Sequence, residues 1–206
     1  MSSKRGVLIA LEGLDKSGKT TQSEILRYTL EAQDQKVLLL HFPDRTTPVG
    51  KILGSYLRKE IDLTPRVSHL LFSANRWEID ATIREAINRG TTVLVDRYVA
   101  SGVAYSRAIS LPTDWCEQPD KGLLKPDLTI WIHVGCQAQK DRGGWGDERY
   151  DNIDLQRRVS EAFKSVADHT WAHVDGEFEK EIVAMEVLKL ATAAINLYSS
   201  TLINVF

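Results

Sequence analysis

Short apolar runs alternate along the chain with longer stretches in which apolar residues recur at helical spacing. The apolar runs, rich in branched residues, lie at 7–12, 37–42, 91–96, 127–134 and 171–174. Runs of this length and composition are typical of strands buried on both faces. The stretch after the first run has apolar residues at Ile25, Leu26 and Leu30, as an amphipathic helix does. This alternation predicts an α/β fold, with a parallel sheet of about five strands and helices on both faces.

The longest helical pattern, from Thr64 to Gly90, is apolar on two opposite sides. Thr64-Pro65 predicts an N-cap and a first turn, and Gly90 predicts the end of the helix. One side carries Val67, Leu70, Leu71, Ala74 and Ala81, and the other carries Phe72, Arg76, Ile79 and Ile83. Such a helix is buried on both sides, either wholly within one chain or with one side against a second subunit. The pattern leaves both arrangements open.

Residues 13–20 read GLDKSGKT and match the phosphate-loop pattern G-x-x-x-x-G-K-[ST]. Its glycines let the backbone curl so that successive N–H groups face an anion. Lys19 would reach the β- and γ-phosphates, and the Thr20 hydroxyl would bind Mg²⁺. The loop follows a predicted strand and precedes a predicted helix, which is the context that the motif requires. A plain glycine-rich turn is therefore disfavoured, and the loop indicates a nucleoside triphosphate.

Composition narrows the class of protein further. The chain has 206 residues and shows no linker or repeat, which predicts a single domain over 1–206. Its net charge of −2 provides no basic field for nucleic acid. Cys116 and Cys136 form no C-x-x-C pair, and no apolar run reaches the roughly 18 residues of a membrane span. With no targeting signal at the N-terminus, the sequence predicts a cytoplasmic protein, the nucleus being the alternative.

Charged and aromatic residues follow three of the predicted strands. They are Asp15-Lys16, residues 42–45 and residues 96–98. In parallel α/β sheets, ligands bind beyond the carboxyl ends of the strands, so these residues are expected to gather around the phosphate loop. Transfer of a phosphoryl group between two anionic nucleotides needs several cations. The chain offers arginines for this purpose at 45, 76, 97, 142 and 149. The chain has no N-K-x-D motif for reading guanine, which counts against a GTPase. It is also too short for a motor protein with its accessory parts.

Six segments together resemble thymidylate kinases of the eukaryotic and large-DNA-virus type. They are LEGLDKSGKTTQ (11–22), FPDRTTPVGK (42–51), LLFSANRWE (70–78), VDRYVASGVAY (95–105), LLKPDLTIWI (123–132) and ERYDN (148–152). The resemblance extends from about residue 5 to about residue 174. It implies a P-loop kinase fold with a lid segment, phosphorylation of dTMP by ATP with Mg²⁺ in dTTP synthesis for DNA replication, and a homodimer. The two-sided helix at 64–90 is the candidate dimer element.

The resemblance also implies roles for individual residues. Phe72 would stack on thymine and Arg76 would bind the base edge, while Arg45 and Arg97 would bind the dTMP phosphate. Asp15 would bind the 3′-hydroxyl, and Tyr105 would pack against C2′ of the sugar. The remaining implied dTMP contacts are Phe42, Leu57, Ser101, Gly102, Tyr150 and Asp151. The implied ATP site comprises Gly13, Ser17, Gly18, Lys19, Thr20, Thr21 and Arg142, with Thr20 and Asp96 holding Mg²⁺.

The polar segment at about 135–150 is expected to form a lid over ATP, with hinge freedom from Gly143, Gly144 and Gly146. Many cellular eukaryotic members carry an arginine where this chain has Lys16, whereas bacterial members place arginines in the lid. The residue that neutralises the negative charge on the transferring phosphoryl group is therefore Lys16, Arg142 or Arg149, and the sequence leaves the choice open. The expected catalytic residues are Lys16, Lys19, Asp96, Arg97 and Arg149.

Two other functions compete with a dTMP kinase. The first is a kinase for another monophosphate, such as guanylate or a broad set of deoxynucleotides, which a panel of acceptors would separate. The second is a P-loop module that binds ATP without transferring phosphate. Such a module would tolerate loss of the acceptor-side residues, and their presence argues against it.

Overall fold

The computed structural model describes residues 4–135, 138–139, 142 and 148–206. Within these residues the sheet is parallel throughout and has the strand order β2-β3-β1-β4-β5. The strands are β1 (Leu8–Glu12), β2 (Val37–His41), β3 (Thr92–Asp96), β4 (Leu128–His133) and β5 (Ala172–Asp175). The fold class is confirmed, and each strand begins and ends within one residue of the predicted positions.

Helices cover both faces of this sheet. They are α1 (Lys19–Glu31), α2 (Pro48–Leu57), α3 (Pro65–Asn88), α4 (Val99–Ala108), α5 (Thr113–Glu117), α6 (Ile153–Val166) and α7 (Lys180–Tyr198), and a 3₁₀ turn spans Gln118–Asp120. Helices α1 and α7 pack on one face, and α3 and α4 pack on the other. Strands β1 and β3 are therefore buried along their whole length, which explains their continuous apolar sequences. None of the described helices is both long and apolar enough to cross a membrane.

The long helix α3 begins at Pro65, as predicted, but Thr64 does not cap it with its side chain. The Thr64 carbonyl instead accepts from the Ser68 amide at 3.0 Å, and Pro65 starts the helix through its fixed φ. Gly90, at φ +77°, follows the last turn and confirms the predicted end. On the side of Val67 and Leu70, the described part of the chain leaves these two residues 44% and 46% exposed. That side is not buried within one chain.

Much of the expected lid lies outside the described residues. These positions are 136–137, 140–141 and 143–147, and they include the three glycines assigned to the hinge. The described parts are Gly135, residues 138–139, Arg142 and the segment that begins at Glu148. Gly135 follows β4, and Arg142 donates to the Lys16 carbonyl in the phosphate loop, so both lie at the end of the sheet where the strands meet that loop.

Candidate active site

The loop between β1 and α1 is shaped as an anion-binding turn. Gly13, Lys16 and Gly18 have φ values of +149°, +61° and +100°, a curl in which glycine is favoured. A Cβ atom on Gly13 would lie 2.3 Å from the Ile132 carbonyl oxygen, so no other residue fits there. Helix α1 begins at Lys19, immediately after the loop, and directs its N-terminus toward the loop's concave side. The predicted phosphate loop is thus present in the required context.

Two cavities meet at this loop. The larger has a volume of about 600 Å³ and the smaller about 400 Å³, and Lys16, Lys19 and Thr20 line both of them. The smaller cavity is also lined by Arg142 and by residues at the start of α7. The predicted ATP contacts Ser17, Gly18 and Thr21 line it too, whereas Gly13 shapes the loop from behind.

Every residue predicted to contact dTMP lines the larger cavity. These are Asp15, Phe42, Arg45, Leu57, Phe72, Arg76, Arg97, Ser101, Gly102, Tyr105, Tyr150 and Asp151. The strand-end rule accounts for the convergence, because residues after β1, β2 and β3 meet at one edge of the sheet. Helix α3 adds Phe72 and Arg76 from one face, and the phenyl ring of Phe72 lies 6.4 Å from the ring of Tyr150. The cavity therefore combines aromatic faces with cations.

Asp15 lies at the centre of a polar cluster on the cavity floor. Its carboxylate pairs with Arg97, accepts from the Tyr105 hydroxyl at 2.8 Å and accepts from Gln156 at 2.5 Å. Burial on its own raises the pKa of Asp15, but the charges of Arg97 and Lys19 and the two side-chain hydrogen bonds outweigh it, and the pKa is lowered. The carboxylate is therefore ionised and held in one orientation at neutral pH.

Asp96, at the end of β3, faces Thr20 across the loop. The Thr20 hydroxyl donates to Asp96 Oδ2 at 2.5 Å, and His41 Nδ1 lies 3.3 Å from the same oxygen. Burial by itself raises the pKa of Asp96, but the His41 hydrogen bond and the charges of Lys19 and Arg97 lower it to about 2. The other oxygen, Oδ1, is buried and has no hydrogen-bond partner among the described residues.

Mg²⁺ commonly binds one or two protein oxygen ligands, while substrate phosphates and water complete its coordination shell. The unpaired carboxylate oxygen of Asp96 and the neighbouring Thr20 hydroxyl match such a pair of ligands. No group of three or more His, Cys, Asp or Glu side chains among the described residues would enclose a metal without such help. The residues present fit a cation that arrives with a nucleotide.

Lys19 is buried and curls back onto its own loop. Its ammonium donates to the Leu14 carbonyl at 2.5 Å and lies 3.3 Å from Ser17 Oγ. Burial, together with the nearby Arg97 charge, lowers the pKa of Lys19 to about 8, although Asp96 and Asp15 favour the charged form. A phosphate in the loop would replace the carbonyl as the partner of this ammonium.

Arg76 is anchored from behind the cavity by a partner that the sequence analysis did not identify. Its Nε and Nη2 atoms donate to the two carboxylate oxygens of Asp120, at 3.0 and 2.6 Å, and the pair is almost fully buried. The guanidinium lies directly against Gly102, where a Cβ atom would come within 2.8 Å of Arg76 Nη2. Gly102 is therefore required for close packing, and Arg76 also lines the larger cavity.

The three predicted lid and phosphate arginines occupy different places. Arg45 pairs with Glu148 at 2.7 Å at the mouth of the larger cavity. Arg142 donates to the Lys16 carbonyl at 2.8 Å and to the Gly176 carbonyl at 2.6 Å, beside the smaller cavity. Arg149 instead donates to Tyr56 and Ile61 carbonyls and to Asp62, and it lines neither cavity. Its catalytic role stays a prediction, and this arrangement does not place it near the loop.

Sequence reasoning missed several residues that hold the site together. Glu12, fully buried at the end of β1, accepts from the Tyr98 and Ser101 amides and from the Ser101 hydroxyl, and so fixes the start of α4. Burial raises the pKa of Glu12, although these hydrogen bonds and the charge of Arg97 act to lower it. Glu12 could have been identified from the sequence, because it is an acidic residue at the end of an apolar strand. No sequence feature distinguishes Gln156, which comes from the distant helix α6.

The geometry defines a class before it defines a family. The sheet is parallel and carries a phosphate loop, with a smaller cavity on one side of that loop and a larger basic, aromatic cavity on the other. This is the arrangement expected of a P-loop nucleotide kinase. The comparisons with known proteins add the family. The thymidylate kinase family model matches residues 11–187.

Individual relatives agree with the family model. Thymidylate kinase of Schizosaccharomyces pombe is 48% identical over 160 residues, covering 78% of this chain and 76% of its own length. Thymidylate kinase of Homo sapiens is 43% identical over 199 residues, covering 95% and 94%. A solved structure of thymidylate kinase from Candida albicans superposes with a TM-score of 0.86 at 37% identity, covering 93% of each chain. The chain belongs to the thymidylate kinase family and is a phosphotransferase, which confirms the resemblance read from its motifs.

Proposed function

We propose that this chain transfers the γ-phosphoryl group of ATP to dTMP, with ATP in the smaller cavity and dTMP in the larger. The observation that carries the proposal is that the two cavities meet at Lys16, Lys19 and Thr20. An ATP held by the loop would place its terminal phosphate at this junction, facing the acceptor. We also propose a single catalytic domain over 1–206 with a lid at about 135–150 that closes over ATP, a segment of which most residues lie outside the described part of the chain.

In the reaction, a phosphate oxygen of dTMP attacks the γ-phosphorus, and the bond from that phosphorus to the ADP oxygen breaks. The attacking phosphate is already ionised at neutral pH, because its second pKa is about 6, so no base is required. Catalysis then consists of positioning and of stabilising charge on the transferring group. Lys16 and Lys19 are the cations at the junction of the two cavities, and Arg97 and Arg45 line the larger cavity, where they would bind the dTMP phosphate. Asp15 would orient the sugar.

Magnesium is proposed as the cofactor, held by Asp96 and Thr20. When bound, it would neutralise charge between the β- and γ-phosphates. The unpaired Oδ1 of Asp96 supports this assignment, and so does the low pKa that keeps the carboxylate ionised. The predicted compartment remains an expectation of the sequence.

The activity is tested by measuring ADP release with ATP and Mg²⁺ against dTMP, dUMP, dGMP, dCMP, AMP and no acceptor. Turnover that is strongest with dTMP supports the proposal. ADP release that is independent of acceptor, or absent with every monophosphate, would leave a nucleotide-binding loop without a kinase function.

Replacing Lys16 with methionine is expected to lower kcat by about a hundredfold while dTMP affinity changes little. Lys16 lines both cavities at their junction, where charge develops during transfer. Arg142→Met and Arg149→Met are the matched variants, because each removes one of the alternative cations. An unaffected kcat in Lys16→Met, with a large loss in either lid variant, would move the role to that arginine.

The pH profile of kcat/KM for ATP is expected to decline above about pH 8, because this parameter reports the free protein. The ammonium of Lys19 is charged below its pKa of about 8 and neutral above it, so the attraction to phosphate is present at low pH and lost as pH rises. A decline approaching tenfold per pH unit is expected between about 8.5 and 9.5. A Lys19→Arg variant cannot deprotonate in this range, so any residual activity should lack the decline. A flat profile for the unmodified chain would contradict this assignment.

We further propose a homodimer formed through the exposed side of α3. Val67, Leu70 and Trp77 are between 39% and 46% exposed there, although they are large apolar side chains on one helix face. Leu70→Glu is expected to shift the sedimentation coefficient from dimer to monomer, whereas Arg89→Glu at the end of the helix should not. A monomeric unmodified chain at micromolar concentration would refute the dimer.

A further inference from the structure

His69 is a buried titratable residue directly behind the acceptor cavity, and it has no part in the proposed phosphoryl transfer. It is 1% exposed, with Nδ1 2.7 Å from Ser106 Oγ and Nε2 2.9 Å from the backbone carbonyl oxygen of Cys116. Ser106 lines the cavity on α4, one helical turn after Gly102. Since Arg76 lies against Gly102, Ser106 and Arg76 border the same part of the cavity wall.

The surroundings of His69 determine which ring nitrogen carries the proton. The Cys116 carbonyl can only accept a hydrogen bond, so Nε2 must be the donor. The ring is neutral at physiological pH, because burial and the nearby charge of Arg76 lower the pKa of His69 although Cys116, Asp120 and Gly102 favour protonation. A neutral imidazole has one N–H, so Nδ1 is an acceptor.

The proton between Nδ1 and Ser106 Oγ must therefore come from serine. The Gly102 carbonyl, which also faces the ring, has no proton to give. Once the Ser106 hydroxyl donates its single proton to His69, its oxygen retains only lone pairs for the cavity. Arg76 has only donors. The cavity wall thus offers a fixed acceptor at Ser106 near fixed donors at Arg76.

We propose that His69 is a positioning residue that makes Ser106 a hydrogen-bond acceptor, and that Ser106 and Arg76 together select bases carrying a ring N–H beside a carbonyl. Thymine and uracil present that edge, and guanine presents it on a larger ring. Cytosine and adenine present the reverse, a ring nitrogen acceptor beside an amino donor. The inference rests on the proposed acceptor site and adds to it the class of base that the site accepts.

The best probe is 5-methyl-dCMP, which keeps the methyl group and ring size of dTMP and reverses the hydrogen-bonding edge. Binding of both nucleotides is measured by calorimetry, and kcat/KM is measured alongside, for the unmodified chain and for Ser106→Ala, His69→Phe and His69→Asn. The preference for dTMP over 5-methyl-dCMP is expected to fall about tenfold or more in Ser106→Ala and His69→Phe. In His69→Asn, Oδ1 takes the place of Nδ1, so the preference should be retained.

A merely structural role for His69 would lower stability or KM for ATP without changing this ratio, so the melting temperature and KM for ATP are recorded for each variant. An unchanged ratio in Ser106→Ala would overturn the inference, as would equal ratios in His69→Phe and His69→Asn. If His69→Phe does not fold, Ser106→Ala and His69→Asn decide the outcome. Binding without phosphoryl transfer would overturn the proposed function, while the ratio of binding constants would still test the base selection.

Discussion

Asp96→Asn is expected to reduce kcat by about 10²–10³-fold and to raise the Mg²⁺ concentration needed for half-maximal rate. Asparagine keeps the shape of the side chain and one carbonyl oxygen, but it removes the negative charge that a divalent ion requires. Asp96 is ionised at neutral pH, since its pKa is about 2. Its Oδ1 is buried without a partner among the described residues and is therefore available to the cation. The loss should therefore appear in Mg²⁺ dependence and not in dTMP affinity.

The measurement is kcat across a Mg²⁺ titration at saturating ATP and dTMP. Asp154→Asn is a matched control, because it makes the same chemical change at a side chain on α6 that is 82% exposed. Its kcat and Mg²⁺ dependence should equal those of the unmodified chain. If Asp96→Asn retained both, the cation would have to be held elsewhere, and Thr20 would lose its assigned role.

The parts of the site that sequence could predict are those encoded locally or by a rule of topology. GLDKSGKT between a strand and a helix specifies the loop because the glycines at 13 and 18 adopt conformations that few other residues reach. The residues after β1, β2 and β3 converge because parallel strands end at one edge. The roles of Phe72, Arg76 and Tyr105 came from the resemblance, and their placement in one cavity agrees with it.

The parts that sequence could not predict are pairings between distant segments. Asp15 accepts from Gln156, which lies 141 residues further along the chain, and nothing in the pattern of α6 distinguishes that glutamine. Arg76 and Asp120 are separated by 44 residues, and nothing in the sequence indicates that they pair. Only the packing of α3 against the segment after α5 shows that they form one buried unit.

This buried pair carries the second large expected effect. Asp120→Ala is expected to destabilise the fold by about 3–5 kcal/mol, because it leaves the Arg76 guanidinium buried without its countercharge. The two side chains are 3% and 1% exposed and 2.6 Å apart, and Ser73 also donates to Asp120 at 2.7 Å. Arg76 should also lose its orientation, so dTMP affinity should fall together with the free energy of unfolding. Urea unfolding and dTMP calorimetry measure the two effects.

Stability and recognition are separated by the double variant Arg76→Met/Asp120→Leu. Replacing both charges with apolar side chains of similar size removes the unpaired charge, so most of the lost stability should return. Affinity for dTMP should not return, because the guanidinium donors proposed to bind the base edge are gone. The exposed pair Lys164–Glu161 provides the control, since its matching double change should leave the unfolding midpoint nearly unaltered. If the double variant regained dTMP affinity along with stability, Arg76 would serve the fold alone, and the base edge would have to be recognised by other residues of the cavity.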